Sequence, residues 1–470
     1  MFNKIITWIK EVVNKMFNKT DMQEAFNTDI SVSNEMIQAI SLWSEMYENK
    51  APWLDENIKS LNLPASIASE LARMVTIEFK SEITGSKRAD FLNEQYKIIK
   101  NKLRVNTEYG NAKGGIMFKP YVKDGRICTD YIQADSFVPT SFDDSGKIIG
   151  VIFTNQIVKG KYIYTRLEAH KYSNSNYLIE NKVYKSESNS VLGKQVSMQE
   201  VEEWNNIQEK VLIINVDRPL FGYYKVPQAN NTDTQSPLGV SVYARAVEDI
   251  KKADIQYGRL DWEYEASEKA IYADIVALKE ADMGNNISKS VMPTTRDRLI
   301  KKVGIGKDDF YEDYSPEIRD EAFIRGLNKA KQEIEFKCGL AYGTISDPQA
   351  IEKSATEVKQ GKQRSYATVS DMQKSLQNAL DDLIYAMDVL ATLYKLSPIG
   401  KYEASYEWDD SIIVDTESEQ VIRSQEVTQG LSSKKKYLMW RYGLTEDQAQ
   451  EMLDEIKAEQ GPDTGLFNAE

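Results

Sequence analysis

Three features of the sequence predict an α+β protein. The first hundred residues repeat apolar positions at helical spacing. From Gly114 to about Lys185 the period changes to two, cut by glycine turns. Three long amphipathic stretches follow Ser236. At 470 residues the chain exceeds what one simple core organises and points to roughly two to four domains.

The elements are taken in order. Met1 to Thr20 carries Phe2, Ile5, Ile6, Trp8, Ile9, Val12, Val13, Met16 and Phe17, interrupted by Lys4, Lys10, Glu11, Lys15 and Lys19. Lys10 and Glu11 cut the apolar run short of a signal peptide or membrane span. We read it as an amphipathic helix packed on its own domain or on a neighbouring subunit, rather than lying on an anionic membrane. Met36, Ile40, Trp43 and Tyr47 form a second helical stripe, and Ile67, Leu71, Val75 and Phe79 a third, beyond the loop around Pro52 and Pro64. Gly115–Phe118, Ile148–Thr154, Tyr162–Glu168 and Tyr177–Tyr184 alternate as strands of an antiparallel sheet. Asp124-Gly125, Ser145-Gly146 and Lys159-Gly160 supply turns between them.

Ser236-Pro237-Leu238-Gly239 introduces a predicted rod from about Val240 to Ala270, with Tyr243, Val247, Ile250, Tyr257, Leu260 and Tyr264 on its apolar face. At 1.5 Å per residue it would be roughly 45 Å long. A second helix is expected at Ser315-Pro316-Glu317, with Ser as N-cap, and Phe323, Leu327, Ala330, Ile334 and Cys338 as its face before Gly339. A third opens with the capping box Ser354-Ala355-Thr356-Glu357 and runs to about Lys395, roughly 60 Å, with Gly361 as a place to bend. Small helices close the chain, the last capped by Thr445 with Gln448 and turning Met452, Leu453 and Ile456 inward. Helices average about a dozen residues, so rods this long suggest that something is spanned.

Composition narrows the chemistry. The 59 Lys and Arg against 72 Asp and Glu give a net charge of −13, which argues against a surface that coats nucleic acid everywhere but not against a local basic patch. The apolar fraction of 41% is enough for real cores. One histidine, His170, and two distant cysteines, Cys128 and Cys338, exclude histidine-rich metal sites, C-x-x-C chemistry and a disulfide framework. The cysteine usage fits a reducing cytosol. Every Gly-Lys pair lacks the Ser or Thr that would complete a P-loop, Gly304-Ile305-Gly306 lacks a third glycine, and no Gly-x-Ser-x-Gly elbow occurs.

Two charge clusters remain. Asn286 to Lys307 holds Lys289, Arg296, Arg298, Lys301, Lys302 and Lys307 against Asp297 alone. Either it is a solvated loop, or it contacts nucleic acid or an acidic partner. Asp409, Asp410 and Asp415 are a solvated acidic turn or, if they converge, an oxygen-ligand site for a divalent cation.

Several segments, in order and spacing, resemble portal proteins of tailed bacteriophages. They are Leu63-Pro64-Ala65 through Glu78-Phe79-Lys80, Glu108-Tyr109-Gly110 with Gly114-Gly115 and Lys119-Pro120-Tyr121, and Ser236-Pro237-Leu238-Gly239-Val240-Ser241-Val242-Tyr243. Gly339-Leu340-Ala341-Tyr342-Gly343-Thr344-Ile345-Ser346-Asp347, Ser354-Ala355-Thr356-Glu357-Val358 and Trp408-Asp409-Asp410-Ser411-Ile412 continue the likeness. It covers nearly the whole chain and is strongest to portals of phages and prophages of Gram-positive bacteria.

The resemblance implies a dodecameric ring at one capsid vertex that conducts double-stranded DNA. Residues 1–235 would form the wing, 236–270 and 315–340 two stem helices, 271–314 the clip, 341–353 a tunnel loop, 354–396 a long wing helix, and 397–470 the rest of the wing with a small crown. Ser346, Asp347, Gln349, Glu352 and Lys353 would come closest to DNA, and Arg296, Arg298, Lys301 and Lys302 would be a docking surface on the clip. Implied partners are the chain itself, the terminase large subunit, head-tail adaptors, and major capsid and scaffolding proteins. Neither membrane, cofactor, metal nor catalysis is implied, and the chain would reside in host cytoplasm during assembly and in the virion afterwards. An acidic channel would let DNA slide, because like charge does not hold phosphates. The rival expectation is a helical structural adaptor without a DNA role. An enzyme would need Asp409, Asp410 and Asp415 to bind a metal.

Overall fold

The computed structural model describes residues 19–77, 79–188, 191–267, 270–274, 280–282, 288–290, 300–303, 311–314, 317–347, 355–408 and 416–459. Three helices open the described chain: α1 (Lys19–Phe26), α2 (Asn34–Tyr47) and α3 (Leu63–Thr76). The Ser33 side chain caps α2 by accepting from the Met36 amide at 3.2 Å. Pro64 sits in the first turn of α3, where its missing N–H costs no helical bond. Strand β1 (Lys80–Thr84) and the 27-residue α4 (Lys87–Lys113) follow. The expected all-helical first hundred residues are therefore interrupted by a strand. It pairs with β16 (Glu403–Glu407), Lys80 opposite Glu407, a contact too distant in sequence for local periodicity to reveal.

The predicted antiparallel region is present. Strands β2 (Gly115–Lys123) and β3 (Arg126–Gln133) form a hairpin, and β10 (Gly222–Lys225) pairs with the other edge of β2. A larger sheet runs β4 (Phe137–Phe142), β5 (Ile148–Lys159), β6 (Tyr162–Ser173), β7 (Asn176–Ser186) and β8 (Lys194–Val196), with β9 (Lys210–Ile214) also on β7. The Asp124-Gly125 hairpin has positive φ at both residues, 52° and 71°, the conformation a two-residue turn of this twist requires.

Helix α5 (Val247–Ala266) is shorter than the predicted 240–270 rod. Residues before it are drawn into the core instead: Val240, Val242 and Tyr243 are buried, and the Tyr243 hydroxyl donates to the Trp43 carbonyl at 2.8 Å. Here the backbone at Gly239 crosses that at Gly114 so closely that a Cβ on Gly239 would lie 2.1 Å from the Gly114 oxygen. Ala270 belongs instead to β11 (Ala270–Asp274), flanked by β14 (Ile300–Val303) in parallel and β15 (Tyr311–Tyr314) antiparallel. Strands β12 (Glu280–Asp282) and β13 (Ser288–Ser290) form a separate pair.

Helix α6 begins at Asp320, not at Pro316, and ends at Cys338; Gly339 closes it in the left-handed region at φ 73°. The long helix α7 (Ala355–Leu393) continues through Gly361. Val369, Met372, Leu376, Leu380, Leu383 and Met387 form its buried stripe, at spacings of three and four that hold one face. Its backbone touches β10, where a Cβ on Gly222 would lie 2.1 Å from the Ala379 oxygen. Buried Arg88 ties the start of α4 to the end of α7 by donating to the Pro398 carbonyl (3.1 Å) and the Thr392 hydroxyl (3.2 Å). Helices α8 (Thr416–Thr428), α9 (Lys434–Tyr442) and α10 (Glu446–Glu459) complete the described chain. The predicted capping box is reciprocal: the Thr445 amide donates to Gln448 Oε1 at 3.0 Å, and the Gln448 amide to Thr445 Oγ1 at 3.4 Å.

Candidate functional site

The segment that follows α6 is organised by a carboxylate. Glu335 lies beside the apolar stripe of α6 and is fully buried. Its Oε1 accepts from the Ile345 amide (2.6 Å) and the Ser346 amide (2.9 Å). Its Oε2 accepts from the Gly343 amide (3.2 Å) and the Ser346 hydroxyl (2.8 Å). Four neutral donors converging on one buried anion meet the demand that such a charge be fully hydrogen-bonded. The next amide, of Asp347, donates to Asn328 Oδ1 at 2.7 Å. Residues 341–347 are thus strapped onto α6.

Of the residues expected closest to a passing ligand, Ser346 is buried at 5% exposure, with its hydroxyl given to Glu335, and does not face solvent. Asp347 is exposed. Gln349, Glu352 and Lys353 lie outside the described residues. Glu335 itself escaped sequence reasoning. Its only signal is an acid next to an apolar helical stripe, shortly before Gly339 and Gly343, whose loop offers free amides.

Helices α5 and α6 pack as a pair and make two ion pairs between them. Arg319 donates from Nε (3.0 Å) and Nη2 (2.8 Å) to the two oxygens of Glu263, and its amide adds a third bond. This fork starts α6 at Asp320 and holds the Glu263 carboxyl below its usual range. Lys337 pairs with Asp249 at the other end. Lys329 and Glu333 pair with each other along the outer face of α6 at 3.0 Å. Asp254, buried in α5, accepts from Trp53 Nε1 (3.0 Å) and the Leu61 amide (2.9 Å), which anchors the pair to the first third of the chain.

Both helices of the pair expose large apolar side chains. Trp262 is 63% exposed, and Tyr264, Ile318, Ile324 and Phe336 are also exposed; the Arg364 guanidinium of α7 stacks 3.8 Å above the Phe336 ring. Large apolar side chains exposed along both helices of the pair are surface that a packing neighbour could cover.

The two charge clusters are only partly described. Lys301 and Lys302 lie in β14, opposite Tyr272 and Ala273 of β11. Arg296 and Arg298 lie outside the described residues, as do Asp409, Asp410 and Asp415. Among the described residues no cluster of His, Cys, Asp and Glu could hold a metal, and no helix is long and apolar enough to cross a membrane.

The only histidine sits in a buried polar cluster between the sheets. His170 Nε2 lies 2.7 Å from Glu168 Oε1, and Nδ1 lies 2.6 Å from the Tyr177 hydroxyl. Burial drives His170 below its ordinary value despite Glu168, so the ring is neutral, donating from Nε2 and accepting from Tyr177. Burial also pushes Glu168 up, but Lys119 at 2.7 Å, the His170 bond and Arg166 at 3.1 Å outweigh it and hold the carboxyl well below its usual range. A polar cleft of about 340 Å³ adjoins the cluster. It is lined by the cations Lys119 and Arg166 and the carboxylates Asp130, Asp135 and Glu168. This cluster fastens the sheets together.

A family model described as phage portal protein, SPP1 Gp6-like, matches residues 31–463. No curated protein matches the chain significantly. The matched span takes in the α/β body, the α5–α6 pair, the Glu335-strapped loop, the long helix α7 and the three C-terminal helices. The chain belongs to the SPP1 Gp6-like family of phage portal proteins.

Proposed function

We propose that the chain is the subunit of a dodecameric ring at one vertex of a phage capsid, through which DNA enters during packaging and leaves on ejection. The observation that carries this is the family match across residues 31–463. Helices α5 and α6 would be the stem, residues 271–314 the clip, 341–353 the tunnel loop, α7 the long helix of the wing, and the C-terminal helices the crown. Two features support the assignment. The exposed apolar surface of α5 and α6 suits elements that pack against neighbours in a ring. The loop after α6 is held by its own helix, as a fixed constriction requires.

In this scheme Ser346 tethers the tunnel loop, and the approach to DNA falls to Asp347 with Gln349, Glu352 and Lys353. The protein binds its cargo without transforming it, and a separate terminase motor supplies the work. Arg296, Arg298, Lys301 and Lys302 would dock that motor and later the head-tail adaptors. Reversing all four to Glu should leave rings intact and abolish docking; unchanged packaging in that variant would remove the clip surface from the scheme.

Light scattering and negative-stain images of the purified full chain test the ring. Twelve copies of the 53.6 kDa chain would give about 640 kDa, with a central hole in end-on views. A monomer, persisting when capsid and scaffolding proteins are co-expressed, would overturn the ring and leave the helical adaptor.

A further inference from the structure

The sheet face on which α1 ends is only partly covered. Lys182 of β7 donates to the Ala25 carbonyl and stands 5.2 Å from the centre of the Phe26 ring, so the end of α1 lies over Lys182. Leu178, four residues back along β7, points to the same face as Lys182. It lies opposite Leu212 of β9, and Asn176 lies opposite Ile214. Ile213 between them turns to the other face and is buried, whereas Leu212 and Ile214 are 60% and 61% exposed. Among the described residues β9 pairs with β7 alone, so it is an edge strand with an apolar outer strip. At about 3.3 Å per residue, the strip begins roughly 13 Å from Lys182.

Eighteen residues precede α1. Placed on a helical wheel at about 100° per residue, they divide without exception. Every apolar residue from Met1 to Phe17 falls in one half of the wheel, and every polar one from Asn3 to Asn18 in the other. A helix of this pattern has half its surface to bury and would be about 27 Å long, ample to reach from α1 over Leu212 and Ile214.

We propose that residues 2–17 lie as a helix across the exposed strip of β9 in their own chain. Continued into α1, the same wheel puts buried Met22 and Ala25 in its polar half, so one straight helix cannot bury both faces on the sheet. The proposal therefore includes a turn near Asn18, which lays the segment back on β9. The tether favours the chain's own segment over one from another copy, because a short link holds it near the strip at an effective concentration in the millimolar range. A lysine-bearing amphipathic helix with Phe2 and Trp8 also has the chemistry of an anionic membrane surface. The sheet is favoured because Leu212 and Ile214, within reach, otherwise stand in water. None of this depends on the ring.

Two full-length experiments test the docking from its two sides, each on variants shown by circular dichroism to keep their fold. Trypsin, which cuts after Lys4, Lys10 and Lys15, should release the segment about tenfold faster from L212S/I214S than from wild type, since the loss of two apolar contacts raises the undocked fraction. In the reverse direction, Leu212→Cys should react slowly with a maleimide, and about tenfold faster when I5S/I9S is added; peptide masses separate this thiol from Cys128 and Cys338. Equal cutting of wild type and L212S/I214S, or equal labelling with and without I5S/I9S, would overturn the docking. Should L212S/I214S fail to fold, the labelling alone decides. Protection that disappears on dilution to a monomer would assign the strip to another copy and overturn the own-chain form. Binding to phosphatidylserine-containing vesicles that I5S/I9S abolishes, with cutting unchanged in L212S/I214S, would overturn it in favour of a membrane.

Discussion

The sheet region and the helical pair α5–α6 handle their difficult side chains in opposite ways. In the sheet region, the buried charges of Lys119, Arg166 and Glu168 pair with one another, and neutral His170 and Tyr177 complete the cluster. Buried Arg88 likewise spends its donors on carbonyls and a hydroxyl of the same chain. The helical pair satisfies its carboxylates internally, Glu335 above all, yet leaves Trp262, Tyr264, Ile324 and Phe336 facing outward. One region meets its buried charges within a single chain, although Leu212 and Ile214 of β9 stand exposed there. The other has its polar groups in order and its apolar surface unfinished, which is what a subunit awaiting neighbours looks like.

This contrast predicts that changes in the first region act on folding and changes on the outer face of the second act on assembly. The largest effect should come from Glu168→Gln. It leaves Lys119 and Arg166 buried without their shared anion and should lower stability to urea by about 3–5 kcal/mol. A loss under about 1 kcal/mol would mean that the cluster is not the internal fastening described.

Glu335→Gln should come next, at about 1–3 kcal/mol, because the amide that replaces one carboxylate oxygen turns a donor toward donors. Hydrogen exchange at the Gly343, Ile345 and Ser346 amides should accelerate while β5 and β6 are unchanged. Unchanged protection at those three amides would show that the strap is not carried by Glu335.

Acidification gives a smaller effect with a definite sign. His170 has a lowered value in the fold, so the unfolded chain takes up the proton more readily. The stabilisation is then complete above the ordinary value of 6.5 and is lost as pH falls below it. The loss should be at most about 1.4 kcal/mol per pH unit, and His170→Gln should flatten the slope between roughly pH 6.5 and 5.5. Glu168, whose value is also lowered, contributes stability that is lost only at more acidic pH, below its ordinary 4.5. A slope unaltered in His170→Gln would place the titration elsewhere. The smallest effect on folding should be that of Trp262→Ser, within about 0.5 kcal/mol for the monomer, with weakened assembly as its main consequence.

Much of the architecture was legible because it is written in local periodicity and turn chemistry. The stripe of α7 from Val369 to Met387 and the turns at Asp124-Gly125 and Gly160 needed only neighbouring residues. The pairing of β1 with β16 and the burial of Val240 to Tyr243 were not legible, since both depend on partners far along the chain. The loop after α6 was legible as a loop, but not its strap. Ser346 read as an exposed polar residue and became a buried one because Glu335, eleven positions earlier, turns inward to meet it.

The contrast between the regions is tested most directly by hydrogen exchange of the full chain before and after assembly, read along the whole sequence. We predict new protection on assembly in 247–266 and 318–338, with little change across β2 to β7. New protection concentrated in the sheet region, or none in the helices, would contradict the assignment of the helical surfaces to neighbouring copies.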